Sequence, residues 1–178
     1  MEIHNPHDKF FKDMFSRTEV AQDFCRRYLP PEIVNILDLS SLTPAKDTFV
    51  DQELREYFSD LLFSVKLTTG REIYIYLLFE HKSYQYPQIA FQRLCYMIKI
   101  WENDRKQGNS NFLRPIIPLV FYHGAEQWNI PLDFQSLFPW TQGLVKYLPQ
   151  FEYLLFDLPR MEDEQIHGNF LLKASLIL

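Results

Sequence analysis

Asp60-Leu61-Leu62-Phe63-Ser64-Val65-Lys66-Leu67, then Thr68-Thr69-Gly70-Arg71, then Ile73-Tyr74-Ile75-Tyr76-Leu77-Leu78-Phe79-Glu80 and His81-Lys82: this stretch decides the fold. Two apolar runs of strand length on either side of a glycine-bearing turn spell a β-hairpin. The first run opens on an acid and the second closes on an acid, with a lysine two residues beyond. A hairpin brings its two open ends together, so Asp60, Glu80 and Lys82 are candidates for a single site. Two carboxylates and one lysine are the minimal equipment for holding a divalent metal and cutting a phosphodiester.

Whether the three groups meet depends on register. Side chains alternate across a strand. Leu61, Phe63, Val65 and Leu67 are apolar at odd positions, and so are Ile73, Ile75, Leu77 and Phe79. Antiparallel partners share a face only when their numbers sum to an even number, and a one-residue slip would expose one apolar set. A three-residue loop, Thr68-Thr69-Gly70, meets this condition, with Gly70 taking the left-handed position. Leu67 then faces Arg71, and Asp60 faces Leu78. Asp60 and Glu80 become diagonal neighbours on one face, roughly 7–8 Å apart between backbones. Lys82 follows on that face about 6.6 Å along the strand. A two-residue Thr69-Gly70 loop would put the two acids on opposite faces, against the apolar pattern.

A chain of 178 residues is long enough to bury a good core. Its 16 phenylalanines and 10 tyrosines supply that core well. Cys25 and Cys95 form no framework and no zinc-type spacing. His4, His7, His81, His123 and His167 are scattered. No apolar run reaches transmembrane length and no signal peptide is apparent, so a cytoplasmic protein without a membrane partner is expected. The net charge of −5 counts against a histone-like binder of nucleic acid. It does not exclude a nuclease, whose basic groups need only line one groove.

Outward from the hairpin, Phe10, Phe11, Met14, Phe15, Val20, Phe24 and Tyr28 predict a helix over about residues 8–28, stopped by Pro30-Pro31. Residues 32–47 read as a short helical or irregular connection with a turn at Thr43-Pro44. Phe49 to Leu54 is the expected first strand. Pro87 opens a helix running to about Arg105. Pro115 to Tyr122 is a buried strand whose prolines leave its start incompletely paired. Phe151 to Leu158 is another strand, and residues 163–178 are helical. The chain stops inside that apolar pattern, which leads one to expect a longer natural protein. Helix, three-stranded meander, crossover helix and further strand make an α/β fold with a mixed central sheet flanked by helices.

The crossover helix carries Gln92 and Tyr96, four apart on one face, with Lys99 and Asn103 continuing it. An amide, a phenol and a lysine suit contacts to phosphate and base edges. Leu94, Met97, Ile98 and Trp101 are expected to pack inward.

Together these residues resemble the PD-(D/E)xK nuclease superfamily, whose core has the αβββαβ order. Asp60 matches the strand acid, Glu80-His81-Lys82 the Glu-x-Lys, and Gln92-x-x-x-Tyr96 a downstream Gln-x-x-x-Tyr. More closely, the chain resembles the Rpn family of recombination-promoting nucleases, also labelled YhgA-like putative transposases. The resemblance is carried by His7-Asp8-Lys9-Phe10-Phe11-Lys12-Asp13-Met14-Phe15, Tyr57-Phe58-Ser59-Asp60-Leu61-Leu62, Phe79-Glu80-His81-Lys82-Ser83, Arg93-Leu94-Cys95-Tyr96-Met97 and Pro118-Leu119-Val120-Phe121-Tyr122-His123-Gly124. Ser59 departs from the pattern, which often has proline there. Lys82 keeps the superfamily lysine where relatives often carry glutamine.

The resemblance implies a metal-dependent DNA endonuclease linked to recombination or mobile elements. Asp60, Glu80 and the His81 backbone carbonyl would hold Mg²⁺, with Mn²⁺ or Ca²⁺ as substitutes. Asp60, Glu80 and Lys82 would be catalytic, and Gln92, Tyr96 and Lys99 would position DNA. Asp8 or Asp13 would complete the metal shell. Residues 1–125 are expected to form the nuclease core and 126–178 an extension of the same domain; a homo-oligomer is left open. The rival reading is a nuclease fold kept for DNA binding or assembly without catalysis. A small-molecule enzyme finds no phosphate-cradling glycine loop or nucleophile–base pair.

Overall fold

The computed structural model describes residues 13–45, 61–80, 85–108, 112–122, 124, 126–140 and 143–157. Phe49 to Leu54, the expected first strand, and the helical pattern of 163–178 lie outside the described residues, as do Asp8, Asp60, His81 and Lys82.

The hairpin forms as its pattern requires. Strands β2 (Leu61–Leu67) and β3 (Glu72–Glu80) pair antiparallel, Leu61 with Leu77 and Lys66 with Glu72. This is the even register expected from the odd-numbered apolar sets. The three-residue loop closes with the Leu67 N–H donating to Arg71 O (2.7 Å) and the Gly70 N–H to Leu67 O (2.8 Å). Gly70 has φ +86°, a conformation that penalises any Cβ.

The strand on the other side of β2 is a correction. Residues 37–44, expected as irregular connection, are strand β1 (Leu37–Pro44), antiparallel to β2. Its register shifts between Asp38 and Thr43, so Leu37, Leu39 and Leu42 are buried without strict alternation. A bulge breaks the period-two signal by which a strand is recognised. Side chains take up the backbone it frees: Ser41 Oγ accepts from the Lys66 N–H (2.8 Å), and Asp38 Oδ1 accepts from the Ser40 N–H (3.1 Å).

The expected continuous first helix is interrupted. Residues 13–15 are helical, and α1 (Thr18–Tyr28) starts afresh after Ser16-Arg17. The Ser16 hydroxyl donates to Asp13 O (2.8 Å), and Arg17 is extended (φ −79°, ψ 118°). Local serine-to-backbone bonding competes with the helical ladder. The break lets Phe15 and Phe24 meet edge-on, ring centres 5.2 Å apart, both in the core. A single turn, α2 (Pro31–Val34), leads into β1.

After β3 the chain crosses through α3 (Ile89–Lys106) to β4 (Ile116–Tyr122), parallel to β3. A long connection with 3₁₀ turns at Phe134–Leu137 and Val145–Tyr147 returns to β5 (Leu154–Asp157), parallel to β4. The sheet order is β1-β2-β3-β4-β5. Pro118 is tolerated because β4 pairs with β5 only from Leu119 onward.

Two apolar layers sandwich the sheet. On one face Val20 and Phe24 of α1, with Leu29 just beyond it, pack with Phe63, Val65, Ile73, Leu119 and Phe121. On the other, α3 packs with Leu62, Ile116, Val120 and Tyr122. Alternation along β4 divides its odd and even positions between the layers. The α3 end is tied to β4: Trp101 Nε1–H donates to Arg114 O (2.7 Å), and the Arg114 guanidinium lies 3.4 Å from buried Asp104.

Candidate active site at the ends of the parallel strands

Strands β3, β4 and β5 end level with one another. Glu80 pairs with Tyr122, and Tyr122 pairs with Asp157. The antiparallel β2 begins at this same end, with Leu61 beside Leu77. In sheets of parallel strands carrying crossover helices, the carboxyl ends of the strands are where ligands bind. The backbone of Glu80 is therefore at the end expected to carry chemistry.

Tyr122 is fully buried, its ring edge-on to Trp128 at 4.9 Å. Both Asp157 carboxylate oxygens are shielded from solvent. The Tyr122 hydroxyl and Gln92 Oε1 are buried oxygens without a hydrogen-bond partner among the described residues. Carboxylate and amide oxygens are the donor type a hard divalent cation takes, and Asp157 and Gln92 supply such oxygens. Among the described residues no group of three or more His, Cys, Asp or Glu side chains is close enough to hold a metal; Asp60, His81 and Lys82 are outside that set.

The face of α3 is a second correction. Its inward line is Ile89, Ala90, Arg93, Tyr96, Met97, Ile100 and Asp104. Tyr96, expected on the outer face with Gln92 and Lys99, is 7% exposed and packs with Leu62, Met97, Ile100 and Ile116. Ile98, expected inside, is 43% exposed. The reason is that two charged residues, Arg93 and Asp104, are buried, which rotates the helix away from the orientation its apolar residues alone would choose. Gln92 is half-buried with its Oε1 shielded from solvent, and Lys99, two turns further along, is exposed. Asp13 is exposed, and its neighbours Met14 and Phe15 belong to the α1 layer on the opposite face of the sheet.

Sequence reasoning missed Arg93, Tyr122 and Asp157. The available signal was positional: Tyr122 and Asp157 each end an apolar run that becomes a parallel strand. Tyr153 and Cys25 are titratable but shielded. Burial pushes the Tyr153 phenol up to about 12, with the Trp128 side chain and Arg93 charge pulling the other way. Burial alone pushes the Cys25 thiol up to about 12, which makes it a poor nucleophile.

The fold and the strand-end acids define a mixed α/β protein with a candidate acidic centre where its parallel strands end. Residues 5–178 match the family described as "Putative transposase, YhgA-like", and the chain belongs to that family. It is 35% identical over 162 residues to "Recombination-promoting nuclease RpnA" of Escherichia coli (strain K12), covering 90% of this chain and 54% of that protein. It is 33% identical over 136 residues to "Recombination-promoting nuclease RpnD" of Escherichia coli O157:H7, covering 76% and 48%. It is 30% identical over 163 residues to "Inactive recombination-promoting nuclease-like protein RpnE" of strain K12, covering 91% and 54%. The chain thus spans about half the length of these curated relatives. No solved structure shows significant similarity to it. No helix among the described residues is long and apolar enough to cross a membrane.

Proposed function

We propose that this protein is a metal-dependent DNA endonuclease with a PD-(D/E)xK core, acting in the cytoplasm in recombination or on mobile elements. The observation that carries the reading is the register of the β2–β3 hairpin. Extended by one residue, that register would set Asp60 opposite Leu78 and at a position on the same face as Glu80. The names of the relatives at 33–35% identity support the same chemistry.

In this reading Asp60, Glu80 and the His81 carbonyl would hold Mg²⁺ or Mn²⁺. Such a cation, when bound, polarises a scissile phosphate and makes water a better nucleophile. Lys82 would orient or deprotonate the attacking water and offset charge on the phosphate. Lys99 would contact the DNA backbone from the outer side of α3, and Gln92, whose Oε1 is buried, would help position the strand. Tyr96 acts from within the core, by supporting its neighbours. Residues 1–125 form the nuclease core, and 126–178 extend the same domain. Support for that extension comes from Trp128, Phe134 and Tyr153, which pack with Ile89, Ala90 and Tyr122.

The test is nicking of supercoiled plasmid with Mg²⁺ or Mn²⁺, comparing wild type with Asp60→Ala, Glu80→Ala and Lys82→Ala. Each variant is expected to lose cleavage, and EDTA to abolish it in wild type. Full activity in all three variants would reject the assignment. The relative named inactive favours one second reading, a nuclease fold retained for DNA binding. DNA binding that persists in EDTA, with no cleavage under any divalent metal, would establish it.

A further inference from the structure

The exposed apolar surface of this protein is one-sided. Of the eleven large hydrophobic residues exposed among the described residues, ten lie on α3, on its link to β4 or in the β4–β5 connection. The other is Ile36, just before β1. The β4–β5 connection belongs to the α3 side of the sheet, since Phe134 and Leu137 of its first 3₁₀ turn cluster with Ile89 and Ala90. Exposed apolar residues scattered singly need no explanation, but their concentration on one face marks an interaction surface.

Two parts of this face differ in shape. On α3, Phe91 and Ile98 are exposed, and Cys95 between them is half-buried. Two turns apart, they form a shallow line on the side of the helix opposite its buried residues. Exposed Glu102 ends that line one turn later. In the connection, Trp140 and Tyr147 project, 87% and 72% exposed. Their surroundings are held in place. Phe138 packs edge-on against buried Phe134, ring centres 5.6 Å apart, and the Gln150 side-chain amide donates to Val145 O (3.3 Å). The Tyr147 N–H donates to Leu144 O (2.9 Å), and Lys146 Nζ lies 4.9 Å from the centre of the Tyr147 ring. Apolar groups fixed before binding lose little freedom when they are covered.

Charge decides what covers the face. Residues 134–151 carry one charged side chain, Lys146, and no acid. A surface for DNA would bring several cations to the phosphates. Depletion of charge around exposed Trp and Tyr is instead the composition of a protein interface core. We propose that this face binds a second copy of the chain across a two-fold axis, the Trp140–Tyr147 projection of each copy seated on the Phe91–Ile98 line of the other. A two-fold contact is self-complementary, so each copy supplies both the projection and the line that receives it. Lys146 of one copy then meets Glu102 of the other, cation against acid. Lys99 and Arg105 flank the line and oppose the alternative of α3 packing on α3, which would bring like charges together. Covering Trp140, Tyr147, Phe91 and Phe112 removes about 600 Å² of mostly apolar surface from water. The remaining exposed apolar residues of the face bring this to the ~800 Å² that each partner contributes to a stable interface. The pairing is independent of the nuclease reading.

Sedimentation velocity reads the assembly directly, without DNA or metal. Wild type should sediment as a dimer at about 100 µM and dissociate on dilution. Trp140→Ser should weaken the dimer about 30-fold or more, as loss of a central aromatic anchor does. Lys146→Glu and Glu102→Lys should each weaken it about 5–10-fold. The two together should restore it to within about threefold of wild type, because the exchanged charges meet again across the axis. All three positions are exposed, so the far-UV circular dichroism should not change. If Trp140→Ser misfolds, the charge exchange carries the comparison. A monomer at about 100 µM, a dimer indifferent to these changes, or a double exchange no better than either single one overturns the proposal. A monomer whose Trp140 fluorescence shifts on single-stranded DNA or on anionic phospholipid vesicles also overturns it, and assigns the face to that ligand.

Discussion

Gly124 marks the place where the strand-end site has no spare room. A Cβ built on Gly124 would lie 2.5 Å from Cζ and 2.7 Å from Cε2 of Tyr122, and closer still to the hydroxyl. Real Cβ atoms do not approach so near, so something must move. The ring has nowhere to go: Tyr122 is fully buried and set edge-on against Trp128. Trp128 is itself pinned by its Nε1–H donating to Ile130 O (2.9 Å). Gly124 is not among the glycines with positive φ, so the penalty is steric and not conformational. Gly124→Ala should therefore destabilise by the cost of overpacking a core, about 1–3 kcal/mol. For a domain of this length that lowers the thermal midpoint by about 2–12 °C.

A double-mutant cycle isolates the cause. Tyr122→Leu removes the ring and should itself cost about 2–4 kcal/mol. In that background Gly124→Ala should be close to neutral, giving a coupling of about 1–3 kcal/mol by urea unfolding. Two results would refute the reasoning: Gly124→Ala within about 0.5 kcal/mol of wild type, or costs that simply add. On the proposed function, the same variant should lose plasmid nicking at temperatures where it is fully folded, because the overpacked Tyr122 pairs with Glu80 in the ladder.

Asp104→Ala should destabilise by about 2–4 kcal/mol, since it strips an acid from the half-buried Arg114 guanidinium; Asp104→Leu with Arg114→Met should cost clearly less, by chemical denaturation. Phe24→Ala removes a ring in contact with Phe15, Tyr28, Phe121 and Phe156 and should cost about 3–5 kcal/mol in the same assay. Stability should fall as pH rises from about 9 towards 12. Cys25 has its folded pKa raised from 9.0 to about 12, and Tyr153 from 10.0 to about 12, so the unfolded chain loses these protons first. Cys25→Ala should flatten the part of that decline that begins near 9; an unchanged profile would show that the thiol is not protected by burial.

How far the sequence could be read depended on whether hydrophobic alternation survived in each element. In β2 and β3 it did, and the odd positions from Leu61 to Phe79 led directly to the observed pairing and three-residue loop. In β1 it did not, because the bulge between Asp38 and Thr43 spends its extra residues on side-chain hydrogen bonds. At Ser16-Arg17 a helical period continued through a real break, because Phe15 and Phe24 serve the same core from two separate helical pieces.

The error on α3 has a different origin and bears on function. Assigning its faces by polarity sent Tyr96 outward and Ile98 inward, and took no account of the charges on Arg93 and Asp104. The structure buries both charges and exposes Ile98 and Phe91. Each buried charge sits at one end of the helix and meets a different part of the sheet's surroundings. Asp104 faces Arg114 just before β4 and fixes where that strand begins. Arg93 lies one turn beyond Ile89 and Ala90, which pack with Val120 and Tyr122 near the strand ends. A helix held by apolar contacts alone could slide or roll by a fraction of a turn at small cost, since such contacts are not directional. Two charges, each demanding its own partner, remove that freedom. The stability they give up relative to apolar residues is offset by a fixed register between α3 and the strand ends. That register is what the proposed metal site would require, because misplacing reacting groups by an ångström is enough to lose activity. Replacing Asp104 and Arg114 by a well-packed apolar pair should therefore preserve folding while weakening Mn²⁺ binding and plasmid nicking together. A fully active, equally stable double variant would show that the α3 register is set elsewhere.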